Sequence, residues 1–474
     1  MLFNSLDFLL LLAITLGCYY FPPLRRIQIL ILISASFVFY GYSHPWLLSL
    51  LILSCAVNAV SSYRVYWGTI PSRQKLWAAA GVSVNLSLLL FFKYSKLIYS
   101  SLGQDLSRTD GIGAFLISIP LPIGISFFTF QGISLVVDTF RWKRKGETKS
   151  FYSPNFFIHL YNTTFFKAFF PQLIAGPIVK AHQFLPQIGL KSLRDVRWES
   201  AFKSLVTGYF LKMVIADNLK DQTFWIAAPY FQNLASPNLV LMLLGYSMQI
   251  FADFAGYSLI AMGLAELFGY RLPINFNFPY ISRSFSEFWT RWHISLSTWL
   301  REYLYIPLGG NRKGPARTYL NLFCVMFLGG LWHGATWSYA VWGTFHGLLL
   351  AAERFLIGGK ESESGHWLID ALRTILVFGM VTLAWLLFKL PRFEDALFYL
   401  QSIGRNTHLA ISKTAAMIIL LYSLPVAFYH FHHLYRRTRP LVGNRDWSFL
   451  AYGTMLFFLV VNSGVGGDFI YFQF

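Results

Sequence analysis

Charge is what this chain has least of. Asp, Glu, Lys and Arg make up 13% of its 474 residues, about half the share in an ordinary soluble domain. No charged, aromatic-poor stretch is long enough to form a soluble domain, so residues 1–474 read as a single integral domain. Cysteine is nearly absent. Cys18, Cys55 and Cys324 all sit in apolar segments, and their spacing offers neither a metal-ligand set nor a disulfide framework. Three catalytic signatures are missing as well. Without G-x-S-x-G a serine hydrolase is not expected, without H-E-x-x-H a zinc site is not, and no Gly-rich phosphate loop is present. The first residues lack a basic region and a small-residue cleavage site, so residues 6–20 are expected to be a first span and not a cleaved signal. No low-complexity segment occurs.

Apolar residues fill the space that charge leaves. The chain is 55% hydrophobic and 19% aromatic, with a mean hydropathy of +0.49. Several apolar runs approach or exceed the length that crosses a bilayer, which makes this a polytopic helical membrane protein. The net charge of +18 does not call for nucleic acid, because the basic residues fall between apolar runs as the positive-inside rule expects. Spans are expected at 27–42, 46–60, 76–92, 115–137, 201–216, 238–270, 367–388, 415–431 and 447–461, with a re-entrant segment at 156–179. Pro120, Pro122 and Gly124 are expected to kink 115–137; Pro171, Gly176 and Pro177 are expected to break 156–179. Arg25 and Arg26, the group 141–145, the loop 271–317 and Arg436, Arg437 and Arg439 fall on the cytoplasmic side by charge counting. Asp253 and Glu266 lie at membrane depth and need either a basic partner or a role in a site. The uncharged ending FIYFQF, from Phe469, is expected at the interface.

The stretch 283–350 has features that a membrane core does not require. Ser284 and Glu287 form an S-x-x-E helix start. Aromatic and leucine residues then recur at helical spacing to Leu304, predicting one amphipathic helix that ends at Pro307, Gly309 and Gly310. On that helix His293 faces the apolar side, as a satisfied core histidine or a site residue. The charge-free run 319–352 is longer than one ~30 Å hydrocarbon core needs, so it is expected to turn at Gly329, Gly330 or Gly334. Charge counting puts both of its ends on one side, with the turn near 330–336. It carries His333 near its middle and His346 nearer its end. An imidazole at membrane depth is costly unless it is paired or wet, which marks it as functional.

Long words of this stretch, SEFWTRWHISLSTWLREYLYIPLGGNRKG and GGLWHGATWSYAVWGTFHG, resemble the membrane-bound O-acyltransferases, in their alginate O-acetyltransferase branch. LPIGISFFTFQ, VVDTFR, FFPQLIAGPIVK and the ending FIYFQF are similar to the same family. One word departs from it: Ala255 and Leu259 stand where the family more often has Ser and Asp. The resemblance implies an all-α polytopic bundle of roughly 10–13 transmembrane or re-entrant helices around a central tunnel. It implies that His333 is catalytic and His293 the second site residue. His333 then serves as general base, its other ring nitrogen held by a hydrogen bond, since imidazole titrates near neutrality. The implied donor is acetyl-CoA bound from the cytoplasm, with no metal. Arg291, Arg301, Arg312, Lys313 and Arg317 are candidate phosphate contacts, although the positive-inside rule explains them equally well. The implied setting is a bacterial inner membrane, in membrane lipid. The implied partners are a periplasmic acetyltransferase and the machinery that makes alginate, cellulose or a similar exopolysaccharide. Two alternatives stay open at this point. One is a transporter or channel with a His-lined pathway, for which no inverted halves are visible. The other is a relative that acylates a lipid, a protein or teichoic acid.

Overall fold

The computed structural model describes residues 1–104, 111–174, 176–358, 366–438, 448–466 and 469–470. Lys360, Arg439, Trp447 and the last four residues of FIYFQF lie outside the described residues. All regular structure among the described residues is helical. In chain order the main helices are α1 Leu6–Tyr20, α2 Gln28–Gly41, α3 Leu47–Trp67, α4 Pro71–Leu89, α5 Gly111–Ser118, α6 Ile125–Arg144, α7 Phe156–Ala168, α8 Trp198–Tyr209 and α9 Ser236–Leu267. They continue with α10 Phe285–Arg291, α11 Ile294–Leu300, α12 Pro315–His333, α13 Trp337–Ile357, α14 Trp367–Lys389, α15 Phe393–Arg405, α16 Lys413–Thr438 and α17 Ser448–Val461. Six helical stretches are long and apolar enough to cross a membrane: Pro22–Gly41, Leu47–Trp67, Pro71–Ser101, Ser236–Leu267, Trp367–Lys389 and Lys413–Tyr435. The all-α, multi-pass reading therefore holds.

The chain divides into two compact units, Met1–Leu205 with Ile260–Pro273 and Val206–Leu259 with Ile274–Phe474. In the first, α3, α4 and α6 meet through small and amide side chains. Asn58 and Asn85 exchange amide hydrogen bonds at 3.2 and 2.9 Å, which satisfies two polar groups that lipid could not. Lys167 of α7 is fully buried and donates to the Ser54 carbonyl at 3.1 Å. Glu266 pairs with Arg197. The expected span 115–137 is two helices, not one kinked helix. Gly124 precedes the second helix at φ +77°, and a Cβ there would lie 2.7 Å from the Leu173 carbonyl oxygen, so glycine is required at this point. The segment 156–179 is broken too. α7 ends at Ala168, and a single turn, Phe170–Leu173, follows it.

In the second unit, Lys212 is buried between Asp217 (2.8 Å) and Asp253 (2.7 Å), so Asp253 has its basic partner. The Ile470 amide donates to the other Asp253 oxygen at 2.8 Å. Phe469 and Ile470 are buried here, not laid at an interface, because Asp253 holds the backbone and Tyr257 stacks on Phe469 at 4.4 Å. Helices α12 and α13 form an antiparallel hairpin that turns at 334–336. Gly329 and Gly330 lie inside α12 and do not break it. Gly330 serves close packing instead: a Cβ there would sit 2.3 Å from the Tyr339 carbonyl oxygen, and one on Gly343 would sit 2.2 Å from that of Met326. Helix α15, with its apolar side buried through Ala396 and Tyr399, had no counterpart in the sequence reading. The hairpin makes a topological prediction. Cysteines at Lys313 and Arg354 should react alike with an impermeant thiol reagent in intact cells. Labelling of one and not the other would mean that 319–352 crosses the bilayer.

Candidate active site

The predicted single helix over 284–304 is interrupted at its histidine. Ser284 caps α10, its hydroxyl accepting from the Glu287 amide at 2.9 Å, while the Glu287 carboxylate accepts from the Arg283 amide at 2.7 Å. α10 stops at Arg291, and His293 adopts φ 44° and ψ 52° before α11 begins. A left-handed conformation costs a residue other than glycine about 1–3 kcal/mol unless its surroundings enforce it. Here they do. The Asn277 amide donates to the Arg291 carbonyl and the Ile294 amide to the Asn275 carbonyl, both at 2.9 Å, so the segment 275–277 clamps the backbone on either side of His293.

Asn275 also organises the side chains. Its Oδ1 accepts from the Ser295 amide (3.3 Å) and hydroxyl (2.9 Å) and meets His293 Nδ1 at 3.1 Å. Its Nδ2 donates to Ser258 Oγ of α9 at 3.1 Å. The Ser295 amide can only donate, so the oxygen of Asn275 faces the imidazole. His293 therefore carries its proton on Nδ1 and keeps its lone pair on Nε2. Complete burial pushes this imidazole down to about 3, so it is neutral near pH 7.

His333 is the last residue of α12 and is 3% exposed. Its ring lies 6.0 Å from that of His293, centre to centre, and is walled by Trp332, Trp342 and Phe388 at 5.2–5.3 Å. The turn after it is tied to the end of α14, where Ser338 Oγ donates to the carbonyls of Leu387 (2.6 Å) and Leu390 (2.8 Å). Phe254 stands edge-on to His293 at 4.6 Å and touches Phe469 at 5.8 Å. Two imidazoles and an amide thus meet in a buried aromatic surround, a setting that can support proton transfer.

The structure brings His293 and His333 together, 40 positions apart in sequence. It treats the five basic candidates unequally. Arg291 pairs with Glu287 at 2.8 Å and donates to the Asn277 carbonyl at 3.0 Å, which steadies α10. Arg301, Arg312, Lys313 and Arg317 are exposed, the last three in the turn before α12 and its first turn. Asn275, Ser258 and Ser295 were not foreseen. The only local sign of Asn275 is an asparagine in the proline- and phenylalanine-rich stretch PINFNFPY.

Residues 32–390 match the family model of MBOAT, the membrane-bound O-acyltransferase family. This chain belongs to that family. It is 37% identical over 409 residues to the probable alginate O-acetylase AlgI of Pseudomonas aeruginosa, covering 84% of this chain and 73% of that one. It is 35% identical over 462 residues to the protein of the same name from Pseudomonas putida, covering 93% and 89%. It is 34% identical over 400 residues to the peptidoglycan O-acetyltransferase of Helicobacter pylori, covering 79% and 73%. As a membrane-bound O-acyltransferase the chain is an enzyme that uses an acyl donor, which sets aside the solute-transporter reading.

Proposed function

We propose that this enzyme takes acetyl groups from acetyl-CoA on the cytoplasmic side of a bacterial inner membrane and passes them across for O-acetylation of an exopolysaccharide. The observation that carries the reading is the adjacency of His293 and His333 in a chain that is 35–37% identical to proteins named as alginate O-acetylases. In this reading His333 is the general base. Its imidazole takes the proton of the acceptor hydroxyl as that oxygen bonds to the acetyl carbon. The thioester C–S bond then breaks, and the proton goes to the departing thiolate. His293, neutral and fixed by Asn275, is the second polar group at the reacting centre. Arg301, Arg312, Lys313 and Arg317 meet the phosphates of the donor, while Arg291 keeps α10 in place. Alginate, cellulose and similar polymers fit as final acceptors. A periplasmic acetyltransferase and the polymer-synthesis machinery are the partners that complete the transfer outside.

Inside-out membrane vesicles supplied with labelled acetyl-CoA and the periplasmic partner test this reading. Label should appear on the partner or the polymer, and only when the donor is on the exposed cytoplasmic face. Absence of transfer from that face, with the partner present, would overturn the donor and its direction.

A further inference from the structure

Among the described residues, two other than glycine hold a positive φ: His293, and Phe278 at φ 49° and ψ 62°. For a bulky aromatic residue this conformation is a steric outlier, and it persists only where the surroundings enforce it. Pro279 does not enforce it, since a residue before proline prefers extended backbone. The enforcement comes from α16. The Phe278 ring stacks on Tyr429 at 4.4 Å and 27°, and on His433, about one turn further along that helix, at 3.7 Å and 14°.

Phe278 closes the strap that clamps His293. At the start of the strap, Asn275 is tied to Ser258 of α9. Phe276 then packs edge-on to Phe254 at 4.9 Å and to Trp292 at 5.0 Å. The Asn277 amide donates to the Arg291 carbonyl, and the Asn277 carbonyl accepts from the Arg291 guanidinium at 3.0 Å. Beyond Phe278, Tyr280 stacks on His430 of α16 at 5.4 Å, and its hydroxyl donates to the Ser247 carbonyl. A peptide unit moves as a plane, so φ of Phe278 sets the tilt of the unit that holds the Asn277 carbonyl. Relaxing residue 278 to extended backbone swings that carbonyl away from Arg291, two residues before His293.

We infer that Phe278 is a positioning residue for the reaction: stacked on Tyr429 and His433, it fixes the 275–277 strap that holds His293 in its left-handed, Nδ1-protonated form. This rests on the role given to His293 under Proposed function. The two left-handed residues are then one device. α16 holds Phe278, Phe278 sets the strap, and the strap holds His293 through main-chain hydrogen bonds and the Asn275 side chain. A reacting group displaced by about 1 Å loses up to about 10²-fold in rate, so the stack governs turnover and not affinity for the donor.

The test is acetyl transfer from labelled acetyl-CoA in inside-out vesicles that carry the periplasmic partner, normalised to the amount of enzyme. Phe278→Gly keeps the left-handed backbone accessible and removes the ring, Phe278→Leu keeps apolar bulk without a stack, and Phe278→Tyr keeps the stack. The first two should lower kcat by about 10–10²-fold with KM for acetyl-CoA unchanged, and Phe278→Tyr should keep the wild-type kcat. His433→Phe, which retains a flat ring, should likewise keep the kcat that His433→Ala loses. The deciding measurement combines these variants with His293→Asn. In that background Phe278→Gly and Phe278→Leu should change the residual kcat by less than about twofold, because their effect runs through an imidazole that is no longer there. A full second loss means that Phe278 only supports the fold. A kcat unmoved by Phe278→Leu, or Phe278→Tyr as impaired as Phe278→Leu, overturns the inference. Wild-type turnover by His293→Asn alone would instead remove the role of His293 itself.

Discussion

His333→Ala is expected to lower acetyl transfer by about 10²–10⁴-fold, the usual contribution of a general base, while the protein still inserts and accumulates. The ring sits at the C-terminal end of α12, among Trp332, Trp342 and Phe388. Truncation does open space between the rings, so His333→Gln, closer in volume and still polar, serves as the packing control. Both variants should be inactive in polymer acetylation when normalised to the amount in the membrane. A well-accumulated variant with full acetylation would end the assignment of His333 as the base.

His293 separates a backbone role from a chemical one. Asparagine tolerates the left-handed conformation better than alanine does. His293→Asn should therefore keep near-normal accumulation yet lose most activity, on the order of 10²-fold. His293→Ala should lose activity and also stability, chiefly from the emptied space beside Phe254. Acetylation and thermal unfolding in detergent, measured on the same preparations, distinguish the cases. If His293→Asn turns over like wild type and only His293→Ala is impaired, His293 is a conformational residue and His333 works without it.

Much of the architecture was legible because it rests on local pattern. A charge-free run too long for one crossing, with basic residues at both ends, predicts a hairpin, and the turn lies at 334–336. His333 stands out in the same way, as an imidazole with no charged neighbour in sequence. Helix starts such as Ser284 are local as well, since the capping hydroxyl reaches only three residues along the chain. The break at His293 was not legible. The apolar spacing continues through it from Phe285 to Leu304 and predicts one helix.

Composition and word pattern by themselves determined the membrane class and the family and singled out two candidate histidines, because hydropathy and motif identity are properties of contiguous residues. The tertiary structure alone decided how those histidines are held. Asn275 reaches His293 from 18 positions away, Asp253 takes the Ile470 amide from 217 away, and Glu353 holds the start of α10 from 68 away. Contacts of that range leave no periodic trace in the chain. They also override one that is present, since the 275–277 backbone turns His293 out of the helix that its neighbours spell.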